Sequence, residues 1–160
     1  MKQKRIDYTR LVLSILIAQC AGLIGSIFTY PSIIGWYSNL VKPGFTPPGW
    51  LFGPAWLTLY TLMGISLYLV WQKGTKREGV KAAICVFAVQ LALNSAWSLL
   101  FFGLHSPLYG LVCITALWVA IAATMAKFYG LSRKACALLA PYLLWVTFAA
   151  VLNFYVLILN

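Results

Sequence analysis

The fold class that this sequence predicts is an all-α membrane protein, a single bundle of five transmembrane helices. Three observations carry that expectation. Of the 160 residues, 62% are hydrophobic and only 9% charged, with a mean hydropathy of +0.88. Soluble domains carry about 25% charged residues, so this chain has too few polar groups to coat a surface that faces water. Five apolar runs are long enough to cross a hydrocarbon core of about 30 Å, which takes about 20 helical residues. The basic residues cluster between those runs in an order that fits one topology.

The first run, residues 11–34, follows a basic segment as a secretory signal would. It is longer than the usual apolar core of about 7–15 residues, and it ends in Phe-Thr-Tyr-Pro without a small-residue cleavage site. It is therefore expected to be a retained helix. Ser14, Ala18, Gly22 and Ser26 place a small residue at every fourth position, a spacing that admits a second helix at close range. Residues 36–60 then hold three of the seven tryptophans, and four of the seven prolines fall between 43 and 54. Proline fixes φ and withholds a donor, so this stretch cannot be one continuous helix. A stiff, aromatic-faced segment at a membrane surface suits a lid over an apolar pocket.

The second run covers 51–71 and the third 82–104, where Ala88, Ala92 and Ala96 repeat the small-residue spacing. Such rows serve packing within one bundle or between two protomers, which makes a homodimer an expectation. Ser106 and Pro107 read as N-cap and first residue of the fourth run, 108–129. The fifth run, 135–159, contains Pro141, which frees a carbonyl and is expected to bend the helix. All else is short connector, giving a single domain over residues 1–160.

Charge sets the orientation. Eleven of the twelve basic residues precede the first run, join the second to the third, or flank the turn between the fourth and fifth. The other side has only Lys42, with His105 in a short turn. The positive-inside bias predicts an N-terminus inside, a C-terminus outside and the 36–54 segment on the non-cytoplasmic face. The net charge of +10 is accounted for by these topology determinants, not by a nucleic-acid surface.

A search for catalytic groups finds one histidine, two acids outside the spans (Asp7 and Glu78) and four cysteines in four different runs, with no C-x-x-C. That leaves no nucleophilic triad, carboxylate dyad, phosphate loop or metal cluster, and no intramembrane acid for a proton relay. Asn94 and Asn153 serve either interhelical hydrogen bonding or the orientation of a ligand's polar group. Trp71 fits an interfacial belt, whereas Trp56, Trp97 and Trp145 lie deeper and offer flat faces to a large planar ligand. The remaining chemistry is photochemical or redox work on a bound chromophore, with Trp36 and Trp145 as candidates.

In order along the chain stand Trp36-Tyr37, Lys42-Pro43, Pro47-Pro48, Trp56, Tyr60, Met63-Gly64, Gln90, Asn94, Trp97, Phe101-Phe102-Gly103, Pro141-Tyr142, Trp145 and Leu152-Asn153. This ordered set resembles the TspO/MBR family, the tryptophan-rich sensory proteins whose mitochondrial members are called translocator protein or peripheral benzodiazepine receptor. The resemblance implies a five-helix bundle, often a homodimer, with a cavity opening towards the first loop. It also implies binding of porphyrins and haem-type tetrapyrroles, with no obligatory cofactor, and of synthetic benzodiazepine-type ligands. Carried over, the pocket is lined by Trp36, Tyr37, Pro47, Trp56, Tyr60, Asn94, Trp97, Trp145 and Asn153, with Lys42 at the mouth for a propionate. Phe45 stands where many relatives have tryptophan. No base follows Tyr155, which leaves the cholesterol pattern of mitochondrial relatives incomplete and fits a prokaryotic membrane. The leading expectation is a tetrapyrrole receptor, carrier or sensor. The alternatives are light- or oxygen-dependent porphyrin degradation and sterol or lipid transport.

Overall fold

The computed structural model describes residues 6–160, so Lys2, Lys4 and Arg5 of the N-terminal basic group lie outside the described residues. Five helices follow in order: α1 (Tyr8–Ser32), α2 (Phe52–Trp71), α3 (Val80–Ser98), α4 (Pro107–Leu131) and α5 (Arg133–Leu159). Each is long and apolar enough to cross a membrane. Five helices in up-and-down order put the start of α1 and the end of α5 at opposite ends of the bundle. α1, α4 and α5 begin one to three residues before the expected apolar runs, because polar caps open them. Asp7 accepts from the Arg10 N–H at 3.1 Å and opens α1. Ser106 accepts from the Tyr109 N–H at 3.3 Å, with Pro107 first in α4, as the sequence predicts. Ser132 does the same for the start of α5. A side-chain oxygen there satisfies an N–H that has no partner in the first turn.

The 36–54 segment is less of a loop than its prolines imply. α1 passes through Pro31 and ends in a π-helical turn, Ile33–Tyr37, so Trp36 and Tyr37 sit on the helix end. A 3₁₀ turn, Gly49–Leu51, leads into α2, whose first turn accommodates Pro54 because N–H groups there lack helical partners anyway. A second π-helical turn, Leu99–Gly103, ends α3 beside the first. His105, with φ 51, makes the tight corner into α4.

Small residues set how close the helices come. A Cβ on Gly64 would lie 2.5 Å from the Ile15 Cα, so α1 and α2 touch backbone to backbone there. Ser14 and Ala18 are buried in the bundle as members of the α1 row, while Ser26 is exposed. The α3 row behaves differently: Ala88 and Ala92 face outward. Buried hydroxyls add cross-ties, from Ser95 to the Ala21 carbonyl at 2.9 Å and from Ser66 to the Ala135 carbonyl at 2.7 Å. Gln19 of α1 donates to the Leu57 carbonyl and to Thr61 of α2. With no hydrophobic drive between helices in lipid, close packing and such bonds hold the bundle.

The core fills the half of the bundle nearer the basic connectors, around Met63, Phe87, Leu117, Ile121, Phe128 and Leu139. Phe87 and Phe128 stack there with centroids 5.8 Å apart. Outward-facing Leu23, Val112 and Leu144 present the apolar surface that a bilayer requires. Towards the other end the helices part, and a cavity takes the place of a core. Gly64→Ala is expected to destabilise the bundle by about 1–3 kcal/mol through overpacking against α1, read as a lower thermal midpoint in detergent; an unchanged midpoint would mean the α1–α2 contact is looser than described.

Candidate functional site

A cavity of about 580 Å³ lies among α1, α2, α3 and α5 beneath residues 42–47. It falls within the range of about 300–1,000 Å³ typical of small-molecule sites. Its existence starts from a glycine. A Cβ at Gly22 would sit 2.3 Å from the Tyr60 ring, so only this bare backbone lets Tyr60 swing across from α2. The Tyr60 hydroxyl donates to the Asn94 Oδ1, and the Asn94 amide donates to the Tyr142 hydroxyl at 3.1 Å. All three residues are buried, so α2, α3 and α5 are joined through one amide at the cavity floor.

Above that floor the walls are aromatic. Trp56 stacks on Tyr60 one turn away, with centroids 5.4 Å apart, and meets Tyr142 edge-on. Trp97 stacks on Phe101 at 5.4 Å, and its indole N–H donates to the Asn153 Oδ1 at 3.2 Å. The Asn153 amide donates in turn to the Pro107 carbonyl at 2.8 Å, binding α5 to the start of α4. Trp145 closes the α5 side against Phe52 at 5.9 Å. Of the two roles open to Asn94 and Asn153 on sequence grounds, interhelical bonding is thus realised in both.

Tyr37, Lys42, Pro47, Trp56, Tyr60, Asn94, Trp97, Trp145 and Asn153 all line the cavity. Trp36 does not. Adjacent residues at a helix end point in different directions, so Tyr37 faces inward while Trp36 packs on the α3–α4 corner. There it stacks on His105 at 4.8 Å and meets Phe101 at 5.4 Å. Gly22, Phe52, Phe101 and Leu152 are among the further lining residues, none of them singled out for it. Gly22 had a signal in the small-residue spacing of α1, and Phe101 and Leu152 stand in the ordered set that carries the family resemblance.

The segment over the cavity is fastened at several points. The Lys42 ammonium donates to the carbonyls of Tyr37, Leu40 and Ser38 at 2.8, 2.8 and 3.2 Å and lies 4.9 Å over the Tyr37 ring. Its three protons cap the end of α1, where unpaired carbonyls favour a cation. Lys42 therefore does not point a free ammonium at the mouth. The Asn160 side chain accepts from the Val41 N–H at 2.9 Å and donates to the Val41 carbonyl at 3.0 Å. Phe45 packs on Tyr155 and Phe148 of α5 instead of lining the cavity. On the α1–α2 side, the exposed Leu23, Tyr30, Ile33 and Leu57 form a rim open to hydrocarbon. Apart from Lys42, no charged residue lines the cavity among the described residues. Such a site grips by stacking and apolar burial, with few hydrogen bonds.

Fold and cavity together define a polytopic helical membrane protein with an aromatic, ligand-sized chamber at one end. Residues 14–159 match the TspO/MBR family. The chain is 51% identical over 156 residues to the tryptophan-rich protein TspO of Archaeoglobus fulgidus, covering 97% of this chain and 99% of that protein. It is 41% identical over 125 residues to the tryptophan-rich sensory protein of Cereibacter sphaeroides, covering 78% and 77%. To the human translocator protein it is 40% identical over 132 residues, covering 82% and 78%. The chain belongs to the TspO/MBR family. These relationships mark a membrane receptor or sensory protein, and the archaeal and bacterial relatives support a prokaryotic membrane.

Asn153→Leu is expected to strand the Trp97 N–H and the Pro107 carbonyl, at about 1–3 kcal/mol of stability. Thermal unfolding and a shifted tryptophan emission read this loss; wild-type values for both would show that the amide holds neither group.

Proposed function

We propose that this protein is a tetrapyrrole receptor or carrier that takes up porphyrin or haem-type ligands in the aromatic cavity. The observation that carries the reading is the cavity wall, where Trp56, Tyr60, Trp97 and Trp145 bring ring faces from α2, α3 and α5 around one volume of about 580 Å³. A large, flat, apolar macrocycle is the ligand class that such walls suit, each ring contact adding about 0.5–1.5 kcal/mol beyond burial. Asn94 and Asn153 act by holding Tyr60 and Trp97 in place, so the polar network shapes the cavity before a ligand arrives. The open rim between α1 and α2 fits a ligand that partitions into the bilayer first.

The test is a titration of detergent-purified protein with protoporphyrin IX in the dark, following tryptophan fluorescence. Saturable quenching is expected, weakened in Trp145→Phe and Asn94→Ala. Quenching that never saturates and is the same in every variant would show partition into the micelle and end the proposal. Lys42→Ala is expected to speed ligand release several-fold, through a looser lid, with little change in which porphyrin binds. Altered porphyrin selectivity would instead return Lys42 to ligand contact.

A second reading, light- and oxygen-dependent breakdown of the bound porphyrin, draws support from Trp145, whose indole borders the cavity while Trp36 stands behind Phe101. Illumination in air is expected to change the porphyrin spectrum irreversibly with wild-type protein and more slowly with Trp145→Phe; equal rates would remove Trp145 from that chemistry.

A further inference from the structure

A second hollow, of about 570 Å³, opens on the outside of the bundle between α2 and α5. Pro54, Ala55 and Thr58 form one bank, and Pro141, Leu144 and Phe148 the other. Trp145 is the one described residue that borders both this groove and the cavity, so its indole is a wall with two faces. The groove has a local cause. Pro141 lies within α5, where its ring cannot donate to the preceding turn and crowds it. Proline and alanine also leave short side chains on the facing banks, so the seam does not fill itself.

The chemistry of the banks specifies the occupant. Residues 141–148 lie near the middle of the 27-residue α5, at hydrocarbon depth for a spanning helix. The only side-chain polar atom outside the indole is the Thr58 hydroxyl, and it donates to the Pro54 carbonyl at 2.9 Å. The one hydroxyl proton is thus spent within α2, and no charge on the banks is left to receive a headgroup. An unfilled apolar groove forfeits dispersion contacts along its lining, and the material at that depth is lipid tail.

Trp145 is also free to respond. The Trp97 indole is tied to Asn153, whereas the Trp145 indole makes no hydrogen bond among the described residues and is placed by packing, with Phe52 and Phe148 as its aromatic neighbours. We propose that the α2–α5 groove is a second binding site, for one acyl chain of bilayer lipid, whose occupant braces the Trp145 indole from behind and so raises ligand affinity in the cavity. The coupling rests on the proposed ligand-binding function, and it is reciprocal, as any coupling between two sites must be.

Two measurements test it on the full chain. First, without porphyrin, the protein is placed in phosphatidylcholine vesicles whose acyl chains are brominated at mid-chain. The difference between wild type and Trp145→Phe isolates the Trp145 emission. Strong quenching of that component is expected, and its relief in Ala55→Phe and in Thr58→Phe, which fill the groove from outside the cavity. An unquenched Trp145, or quenching indifferent to both substitutions, overturns the acyl-chain site. Second, protoporphyrin IX affinity is measured in detergent with and without added phosphatidylcholine. Wild type is expected to tighten several-fold on lipid addition, and the filled variants to bind tightly without it and ignore it. The same lipid response in all three proteins overturns the coupling. Should wild type bind no porphyrin saturably, the proposed function fails and the coupling with it, while the bromolipid result alone decides whether the groove holds a chain.

Discussion

Asn94 is where α2, α3 and α5 meet, and its two bonds set the geometry of everything above them. The amide accepts from Tyr60 and donates to Tyr142, so each helix is fixed at one height against the other two. Tyr60 reaches that amide only by crossing the bare backbone of Gly22, which draws α1 into the same arrangement. Below this level apolar side chains fill the bundle; above it the helices diverge and aromatic faces line the gap. In hydrocarbon no water competes for these groups, so losing one partner strands the others.

The walls and the floor divide the work. Hydrogen bonds between Asn94, Asn153 and their aromatic partners are spent within the protein, leaving the ligand-facing surface almost wholly apolar. A cavity of this kind discriminates by shape and flatness more than by polar recognition.

Five spans were legible in the sequence because composition and length decide them, and so was a helix-free stretch around Pro43, Pro47 and Pro48. The limits of that stretch were not. A proline at position 31 and two π-helical turns depend on tertiary support, which no local pattern reveals. Trp56, Trp97 and Trp145 were legible because they sit deeper than an interfacial belt requires, Asn94 and Asn153 because they are polar within apolar spans, and Tyr60 only through the family resemblance. Trp36 misled because residues 36 and 37 are adjacent and only the rotation of the helix end separates an inward ring from an outward one. Lys42 borders the cavity, but the carbonyls that hold its ammonium come from a turn whose shape is set by the fold, which no local pattern shows.

The paired bonds between Asn160 and Val41 carry a mechanical consequence. They attach the lid to the far end of α5, a helix of 27 residues and hence about 40 Å long, against a hydrocarbon thickness of about 30 Å. Both ends of such a helix reach past the hydrocarbon, so the Asn160–Val41 bonds lie at the membrane surface. They tie the segment over the chamber to the same helix that supplies Trp145 and Asn153 to its walls, so cover and wall share one support.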